Sequence, residues 1–463
     1  MSNDLGASGL KPDLLSWVAG VLGGEVVSCE RITGGASRQS FALELAPGAR
    51  VAEAFLRVDT GAGPLSGTIF TLQREVSTLE SLNGTKVRIP EIFGFNTAHQ
   101  AVLMEKVPGT SNFFSVTDAA QAAALQDELL AQLALLHRAP IDVQRVFGAA
   151  TPRTVREALR EDIRFWGDLF RRNVPNPEPV ITFALDWLYR RALGGDQASV
   201  LVHGDIGPGN FMFEGPSLKA LIDWELVHAG HPLEDLAAII ARTLGVPFGD
   251  LKRHVDTYGR LSGRKVDRDE LDYCIVLVLT RWCIGMSMGL AKVSTALDVP
   301  IFVKFMQVNL FAIAKLLARL SGQSLPPGPQ LASVPGVTHD LYGYSAAVLT
   351  EQVKPAVTEA YLQAKLDGVA GLLSYLRNLA DYGIDRERRE ELDALETVLG
   401  GNVASVAAGR AALADALRDS TDAQRAAILQ WLLRKLSLQH ALLKEMLGPM
   451  YERELDYRGG VGR

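Results

Sequence analysis

The stretch Val202–Glu225 reads VHGDIGPGNFMFEGPSLKALIDWE. A first short apolar segment, Ser199–Val202, leads into it, and a second one, Leu218–Ile222, lies near its end. Asp205 follows the first segment, and Asn210 stands five residues after Asp205. Asp223 ends the second segment. Short apolar runs bounded by Gly, Pro and Asn are typical of β-strands. The stretch therefore predicts two short strands with three polar side chains at their ends.

These residue types at this spacing suit phosphoryl transfer. One carboxylate orients an acceptor hydroxyl and takes its proton, while an amide oxygen and a second carboxylate hold the magnesium ion that bridges the nucleotide phosphates. Asp205 can take the first role, and Asn210 and Asp223 the second. Asp residues also form turns that cap buried strands, which is the alternative for either motif alone. Both motifs occur in order and a Pro-Leu-Glu-Asp run follows them, so we favour the catalytic interpretation.

The segment resembles the catalytic core of the aminoglycoside phosphotransferase-like (choline kinase-type) small-molecule kinases, because it contains their H-G-D-x-x-x-x-N and I-D-W-E signatures. His228–Ala237, which reads HAGHPLEDLA, resembles the same family. The resemblance spans roughly residues 25–320. It implies an α+β, protein-kinase-like bilobal fold with an antiparallel β N-lobe and a mostly helical C-lobe. It also implies ATP and Mg²⁺ between the lobes, with Asp205 as the catalytic base and Asn210 and Asp223 as the metal ligands.

A turn rich in small residues separates two predicted strands near the N-terminus, Val26–Ile32 and Gln39–Leu45. This is the form of the loop that covers the phosphates in kinases, because glycines let the backbone approach phosphate oxygens and hydroxyl groups can donate to them. Most hairpins that contain two glycines are ordinary turns, but the position ahead of Asp205 favours a nucleotide-binding loop. Its predicted binding residues are Thr33, Gly34, Gly35 and Ser37.

Arg57 lies in the next predicted strand, Val51–Val58, where kinases usually carry a Lys that holds the α- and β-phosphates. Members of the resembled family often have Arg at this place, and its planar donor fork suits phosphate. Glu75, in the predicted helix Ile69–Leu82, is the candidate partner of Arg57, and a solvated surface carboxylate is the alternative. We predict that Arg57 and Glu75 form an ion pair that contributes to nucleotide binding.

The predicted strands Arg88–Phe93 and Ala101–Val107 complete the N-lobe, and a Pro-Gly pair follows the second one. This end resembles the connection between the two lobes in the kinase family. The resemblance implies that backbone groups around Glu105 and Val107 form hydrogen bonds with the adenine edge of the nucleotide.

Val155–Leu193 is predicted to be largely helical. In the resembled family, the insert at this place helps to cover the acceptor. Here it is rich in apolar and aromatic residues, and its few acidic residues are countered by arginines. A pocket for several protonated amines should be lined with carboxylates, so a polycationic aminoglycoside is disfavoured. The strand motif LRV and the run IDWELVHAGHPLEDLA look most like the kinase portion of acyl-CoA dehydrogenase fusion proteins, which phosphorylate hydroxyacyl thioesters.

We therefore expect a small-molecule alcohol as the substrate, with a hydroxyacyl-CoA or another apolar alcohol first. An aminoglycoside or amino sugar phosphorylated on oxygen is the second candidate. A third candidate belongs to another class, a non-catalytic kinase-like adaptor that binds nucleotide. Asp205, Asn210 and Asp223 are all present, whereas a pseudokinase usually lacks at least one of them, so the enzyme is favoured.

Composition restricts the partners and the location of the protein. A net charge of -6 and a pI near 5.8 disfavour nucleic acid and anionic membranes, which require a basic surface. The three cysteines show no C-x-x-C spacing, so neither a zinc site nor a disulfide framework is indicated. The first residues do not show a basic segment followed by an apolar run, so no signal peptide is expected. The most apolar window, Tyr273–Leu290, contains Arg281 and is predicted to be a core helix of a cytoplasmic protein.

The chain of 463 residues is longer than one typical domain. Its predicted division is an N-lobe in residues 1–109, a C-lobe in 110–320, a Pro- and Gly-rich linker in 321–338 and a helical accessory domain in 339–463. Thr421 and Gln424 predict a capping box before a helix that runs to about Leu447. Dimerisation, closure of the substrate pocket and docking to a partner all stay open for the accessory domain, so homo-oligomerisation through its helices is one expectation.

Overall fold

A five-stranded antiparallel sheet forms the N-terminal part of the protein, with the strand order β1-β2-β3-β5-β4. This computed structural model describes residues 10–32, 38–61, 65–295, 297–332 and 336–458. The predicted phosphate loop, with Thr33, Gly34, Gly35 and Ser37, lies outside the described residues. The elements are α1 Pro12–Leu22, β1 Val26–Ile32, β2 Arg38–Leu45, β3 Glu53–Asp59, α2 Leu72–Leu82, β4 Ile92–Asn96 and β5 Ala101–Glu105.

The sheet is stable because alternate side chains of its strands meet a helix on each face. In β5, Leu103 belongs to the apolar cluster that includes Leu14 and Val18 of α1. Val102, its neighbour, packs with Val76 of α2 on the opposite face. The two helices therefore enclose the sheet, which confirms the predicted antiparallel N-lobe with α2 as its main helix.

The strand predicted at Arg88–Phe93 is wrong at its start, because β4 begins only at Ile92. Pro90 has no N–H to donate to a neighbouring strand. Arg88 is drawn to the C-terminal lobe instead, since its N–H donates to the Gln132 side chain and its carbonyl accepts from the N–H of Leu221.

The second lobe is mostly helical and contains two small two-stranded sheets, β6–β9 and β7–β8. This arrangement confirms the predicted α+β, bilobal fold class. The elements are α3 Ala119–Leu136, α4 Val143–Phe147, α5 Val155–Asn173, α6 Pro179–Arg190, β6 Val200–Val202, β7 Phe211–Glu214, β8 Ser217–Leu221, β9 His228–Gly230, α7 Leu233–Arg242, α8 Leu251–Ser262, α9 Arg268–Leu290 and α10 Val299–Leu320.

Helices α9 and α10 are long and apolar enough to cross a membrane by length and composition. Most of the apolar window of each helix, 72% in α9 and 56% in α10, is buried inside the protein. Both helices contribute to the main apolar core, for example with Ile275 and Ile313. Burial on this scale is typical of core helices, as predicted for Tyr273–Leu290.

The C-terminal part of the chain is helical, with the capping box of Thr421 and Gln424 present as predicted. The helical structure at the start of this region is interrupted near Pro355, because a proline breaks the helical hydrogen-bond ladder. The elements are α11 Val337–Ala347, a π-helix Val348–Val353, a 3₁₀ turn Lys354–Ala356, α12 Ala360–Tyr382, α13 Ile384–Leu399, α14 Val406–Asp419, α15 Asp422–Leu442 and α16 Lys444–Leu447.

The C-terminal helices share one apolar core with the second lobe, since Leu413 and Leu432 belong to the same cluster as Ile313 of α10. A salt bridge of 2.9 Å between Lys435 and Glu178 joins α15 to the residue before α6.

The predicted domain boundaries stay predictions. The helical pair α11 and α12 exposes large apolar side chains such as Tyr344, and the expected homo-oligomer also stays a prediction.

A buried ionic group stabilises the second lobe. The Arg281 guanidinium lies 2.7 Å from both Asp162 and Glu234, and all three side chains are at most 10% exposed. His228 adds a contact of 3.0 Å to Glu234. These contacts tie α5, α7, α9 and β9 together.

Arg281→Met should lower the free energy of unfolding by about 3–5 kcal/mol, because two buried carboxylates lose their shared cation. Arg171→Met is the control, since Arg171 pairs with Asp168 in an exposed helical contact that contributes at most about 1 kcal/mol. Urea unfolding followed by circular dichroism measures both. Equal effects of the two substitutions would contradict a stabilising role of the buried group.

Candidate active site

Asp205 lies in the loop that joins β6 to β7, and its side chain is 21% exposed. The loop contains three glycines with positive φ, which are needed where the backbone enters the left-handed region. The side-chain amide nitrogen of Asn210, Nδ2, donates to the backbone carbonyl of Asp205 at 2.6 Å and to the Asp205 carboxylate at 3.0 Å. The structure therefore brings two of the predicted site residues into direct contact.

Asp223 directly follows the Ile222 end of the hairpin and adopts φ 64° and ψ 61°, an uncommon backbone conformation for a residue other than glycine. Strain of this kind recurs at functional sites, where the surrounding structure must hold it. Here Arg57 holds the side chain, with Nη2 2.7 Å from the Asp223 carboxylate. Burial raises the pKa of Asp223, but the Arg57 charge and hydrogen bond outweigh it, so that the pKa lies below its ordinary value.

Arg57 also makes the predicted ion pair with Glu75, at 3.3 Å. A second cation, Arg38 at the start of β2, contacts the same Glu75 carboxylate and was not predicted. Arg38 donates to the Phe70 carbonyl as well, at 3.2 Å. The Glu75 side chain is only 4% exposed, so the alternative of a solvated surface carboxylate is wrong.

Asp235 braces the Asp205 loop from behind. Its two carboxylate oxygens accept hydrogen bonds from the backbone N–H groups of His203 and Gly204, both at 2.9 Å. His137 contacts the same carboxylate at 3.0 Å, and the other ring nitrogen of His137 meets the Tyr258 hydroxyl at 2.7 Å. Burial raises the pKa of Asp235, but the His137 hydrogen bond and charge outweigh it and the pKa is lowered.

Arg242, in the last turn of α7, was missed by the sequence reasoning. Its Nη2 lies 2.6 Å from the Asp205 carboxylate, and its guanidinium also donates to the carbonyls of Asp205 and Pro208 at 3.2 Å. Burial raises the pKa of Asp205 above its ordinary value, and the charge of Arg242 offsets only part of that shift. No local motif marks this contact, because the two residues are 37 positions apart.

The predicted adenine contacts fall at the end of β5. The N–H of Glu105 is already bonded to the Glu91 carbonyl at 2.8 Å. An adenine edge presents one donor and one acceptor side by side, so the groups that remain suitable there are the Glu105 carbonyl and the Val107 N–H. These adenine contacts stay predictions.

A cleft of about 1120 Å³ opens beside Asp205. It runs along α9 and α10, and most of its lining side chains are apolar or aromatic. Among the described lining residues the carboxylates are Asp205 and Glu225, and the cations are Arg242, Arg281 and Lys292. The apolar and aromatic lining includes Trp166, Leu226, Trp282, Met286, Met288, Leu297, Ile301, Phe302 and Phe305.

Residues 28–272, more than half of the chain, match the sequence profile of the phosphotransferase enzyme family called APH. The chain belongs to this family. It is a phosphotransferase, as the two signatures around Asp205 and Asp223 predicted. Among solved structures, a Ralstonia eutropha protein classed with the aminoglycoside phosphotransferases superposes with a TM-score of 0.50 at 20% identity, over 64% of this chain and 94% of that chain. That likeness shows the shared fold.

Curated relatives of this phosphotransferase include acyl-CoA dehydrogenase family member 11. The Rattus norvegicus protein is 30% identical over 120 residues, which is 26% of this chain and 15% of the relative. The Homo sapiens protein is 29% identical over 80 residues, 17% of this chain and 10% of the relative. The chain thus matches only a small part of the length of these relatives. The finding confirms the resemblance noted in the sequence.

Gly207 makes room for Arg242. Its φ is 144°, and a Cβ there would lie 2.5 Å from Cδ of Arg242. Gly209 also has a positive φ, of 99°, but a Cβ there would meet no atom within 4 Å. An alanine would strain the backbone at either position, but only at Gly207 would its Cβ also clash with Arg242.

Gly207→Ala should be more destabilising than Gly209→Ala, because it displaces Arg242 from Asp205. In an Arg242→Ala background the excess cost of Gly207→Ala should shrink, because the clash with Arg242 is removed while the backbone strain remains, and the coupling energy should be on the order of 1 kcal/mol. Urea unfolding of the four proteins in each double-mutant cycle measures the coupling. A cycle with Gly209→Ala should show none, and equal coupling in both cycles would contradict the assignment.

Proposed function

We propose that this phosphotransferase moves the γ-phosphoryl group of ATP, with Mg²⁺, to a hydroxyl of a small apolar alcohol, of which a hydroxyacyl-CoA is the first candidate. The observation that carries the proposal is the position of Asp205. Its carboxylate accepts a hydrogen bond from Asn210, and the residue also lines a large, mostly apolar cleft. The fold and the family fix the phosphotransferase class, and the lining of the cleft supports the acceptor.

Asp205 orients the acceptor hydroxyl and takes its proton as the phosphoryl group is transferred in line. Arg242 keeps a positive charge beside Asp205, which favours the ionised carboxylate that a base requires. The brace from Asp235 fixes the loop backbone, so the carboxylate does not need to reorganise during the reaction.

The donor set suits Mg²⁺. Because the amide nitrogen of Asn210 is bonded to Asp205, its amide oxygen is the atom that remains for a cation. The Asp223 carboxylate already lies against a cation, the Arg57 guanidinium, which also stands 3.7 Å from Glu225. Two oxygen ligands from the protein are typical of Mg²⁺ that keeps water and binds phosphate. When bound, the ion would neutralise charge on the nucleotide phosphates.

The nucleotide would lie between the lobes. Arg57, held by Glu75, offers its donor fork to the phosphates, and the loop with Thr33, Gly34, Gly35 and Ser37 covers them. Glu105 and Val107 supply backbone contacts to the adenine. These roles extend the family mechanism to the matching positions of this chain, and the burial of the Arg57–Glu75 pair supports them.

The cleft lining favours an apolar acceptor with negative charge. Trp282, Phe302 and Phe305 offer large apolar surfaces, and Lys292 is an exposed cation at the same cleft. A hydroxyacyl-CoA combines an apolar chain with negatively charged phosphates. The names of the curated relatives also contain acyl-CoA, which is consistent with this acceptor.

An aminoglycoside or amino-sugar acceptor is the second candidate within the family, but its several cations would meet only two lining carboxylates among the described residues. The non-catalytic adaptor is the candidate of another class. The contact of Asp205 with Asn210 supports catalysis instead. A cytoplasmic location without nucleic-acid or membrane partners remains part of the proposal.

Mass spectrometry should detect an ATP-dependent gain of one phosphate on a hydroxyacyl-CoA within a panel of alcohols. The panel also contains terpenoid and aromatic alcohols, amino sugars and aminoglycosides. Asp205→Ala should abolish the product, while Asp168→Ala, which removes an exposed carboxylate outside the cleft, should not. A product formed only from an aminoglycoside, or none with Mg·ATP bound, would contradict the proposed acceptor.

The charge of the cleft can be tested with the same assay. Lys292→Glu should raise the KM of a hydroxyacyl-CoA by about tenfold or less, as expected for one partly screened charge, and leave that of a neutral alcohol of equal chain length unchanged. Lys265→Glu makes the same charge change at an exposed position away from the cleft and serves as the control. Equal effects of both substitutions would contradict a local role of Lys292.

A further inference from the structure

The chain after α16 crosses the second lobe next to the end of α7. Here this segment, residues 448–458, is called the C-terminal strap. Arg453 of the strap donates hydrogen bonds from Nη1 to the carbonyls of Leu244, at 2.8 Å, and Gly245. Carbonyls after the last turn of a helix lack partners within the helix, and arginine is well suited to satisfy them. The strap therefore fixes the turn that follows α7.

This turn also forms one wall of the cleft beside Asp205. Gly245 and Val246 line the cleft. Phe305 of α10 packs closely on the turn, since a Cβ on Gly245 would lie 2.5 Å from the ring. A shift of the turn would therefore change the shape of the wall and the position of an aromatic lining residue.

The same turn begins at the residue that holds Asp205. The carbonyl of Arg242 accepts hydrogen bonds from the N–H groups of Gly245 and Val246, both at 2.9 Å. The side chain of Arg242 then reaches the Asp205 carboxylate at 2.6 Å. A continuous set of hydrogen bonds thus runs from Arg453 through the turn and Arg242 to Asp205.

The strap is anchored on both sides of Arg453. Before it, the ring of Tyr451 stacks on His440 of α15 at a centroid distance of 4.3 Å. After it, the buried Tyr457 bonds through its hydroxyl to Asp272 and to Arg319, the latter at 2.9 Å. These anchors fix the strap on both sides of Arg453, beside the turn that follows α7.

We propose that Arg453 is a positioning residue for the acceptor site, and that the C-terminal strap shapes the cleft in which the alcohol is phosphorylated by holding the turn that forms one of its walls. The inference rests on the proposed function insofar as this cleft receives the acceptor. It gives the C-terminal region a role in shaping the substrate pocket, one of the three roles that the sequence left open.

Three full-length variants test the role of Arg453. Arg453→Gln removes the charge and most of the donor fork, and Arg453→Lys keeps the charge. Arg458→Gln is the matched control, because Arg458 is on the same strap but bonds to Asp272 and Asp269, the latter at 2.6 Å, instead of the turn. Thermal unfolding of each variant reports how much stability is lost in general.

Two measurements separate positioning from simple stabilisation. With hydroxydecanoyl-CoA as acceptor, Arg453→Gln should raise the acceptor KM or lower kcat by about tenfold, as a small misplacement of reacting groups does, while the KM for ATP stays unchanged. Arg453→Lys should restore part of the loss. Amide hydrogen exchange followed by mass spectrometry should be faster in Arg453→Gln both in the turn 243–246 and in the Asp205 loop, residues 204–210.

Arg458→Gln should change the kinetic constants and the exchange in both segments much less than Arg453→Gln does, even if it melts at a lower temperature, because the Tyr457 hydroxyl still bonds to Asp272. The proposal is overturned if Arg453→Gln changes hydrogen exchange only within the strap, or if Arg453→Gln and Arg458→Gln change the acceptor KM equally. Exchange is measured on the protein alone. A failure of the proposed acceptor therefore shows as no product in the wild type, while exchange in the 204–210 loop still decides the role of Arg453.

Discussion

The carboxylate of Asp235 is the contact on which the site depends most. It is fully buried and accepts hydrogen bonds from the backbone of His203 and Gly204, directly before Asp205. His137, the residue directly after α3, contacts it too, and the Tyr258 hydroxyl of α8 bonds to the other ring nitrogen of His137. One buried charge thus joins three helices to the loop, and its loss would leave two amide donors without a partner.

A second group of charges connects the lobes. Arg57 belongs to the N-terminal sheet, yet its guanidinium reaches Asp223 in the second lobe at 2.7 Å while it also contacts Glu75. The same arginine is thus placed to respond to a cation at Asp223, since both compete for one carboxylate. A cation bound to the Asp223 carboxylate would therefore compete with the contact between Arg57 and Asp223 that joins the two lobes.

The sequence predicted the parts of the site that lie close together along the chain. Asp205, Asn210 and Asp223 lie within one short segment, so their spacing and the hairpin between them can be recognised from the local sequence. Arg242 and Arg38 were missed because their partners are distant in sequence and an isolated arginine looks like a surface residue. Strand β4 was misplaced for a related reason, since tertiary hydrogen bonds of the Arg88 backbone override local strand propensity.

The most direct test of the account is the effect of Mg²⁺ on ADP binding, measured by isothermal titration calorimetry. In the wild type, Mg²⁺ should strengthen ADP binding by about tenfold or more, equal to about 1.4 kcal/mol. Asp223→Asn should lose this dependence, and Asp168→Asn, which alters an exposed carboxylate, should keep it. Equal affinity with and without Mg²⁺ in the wild type and in Asp223→Asn would contradict a catalytic metal site and favour a nucleotide-binding adaptor.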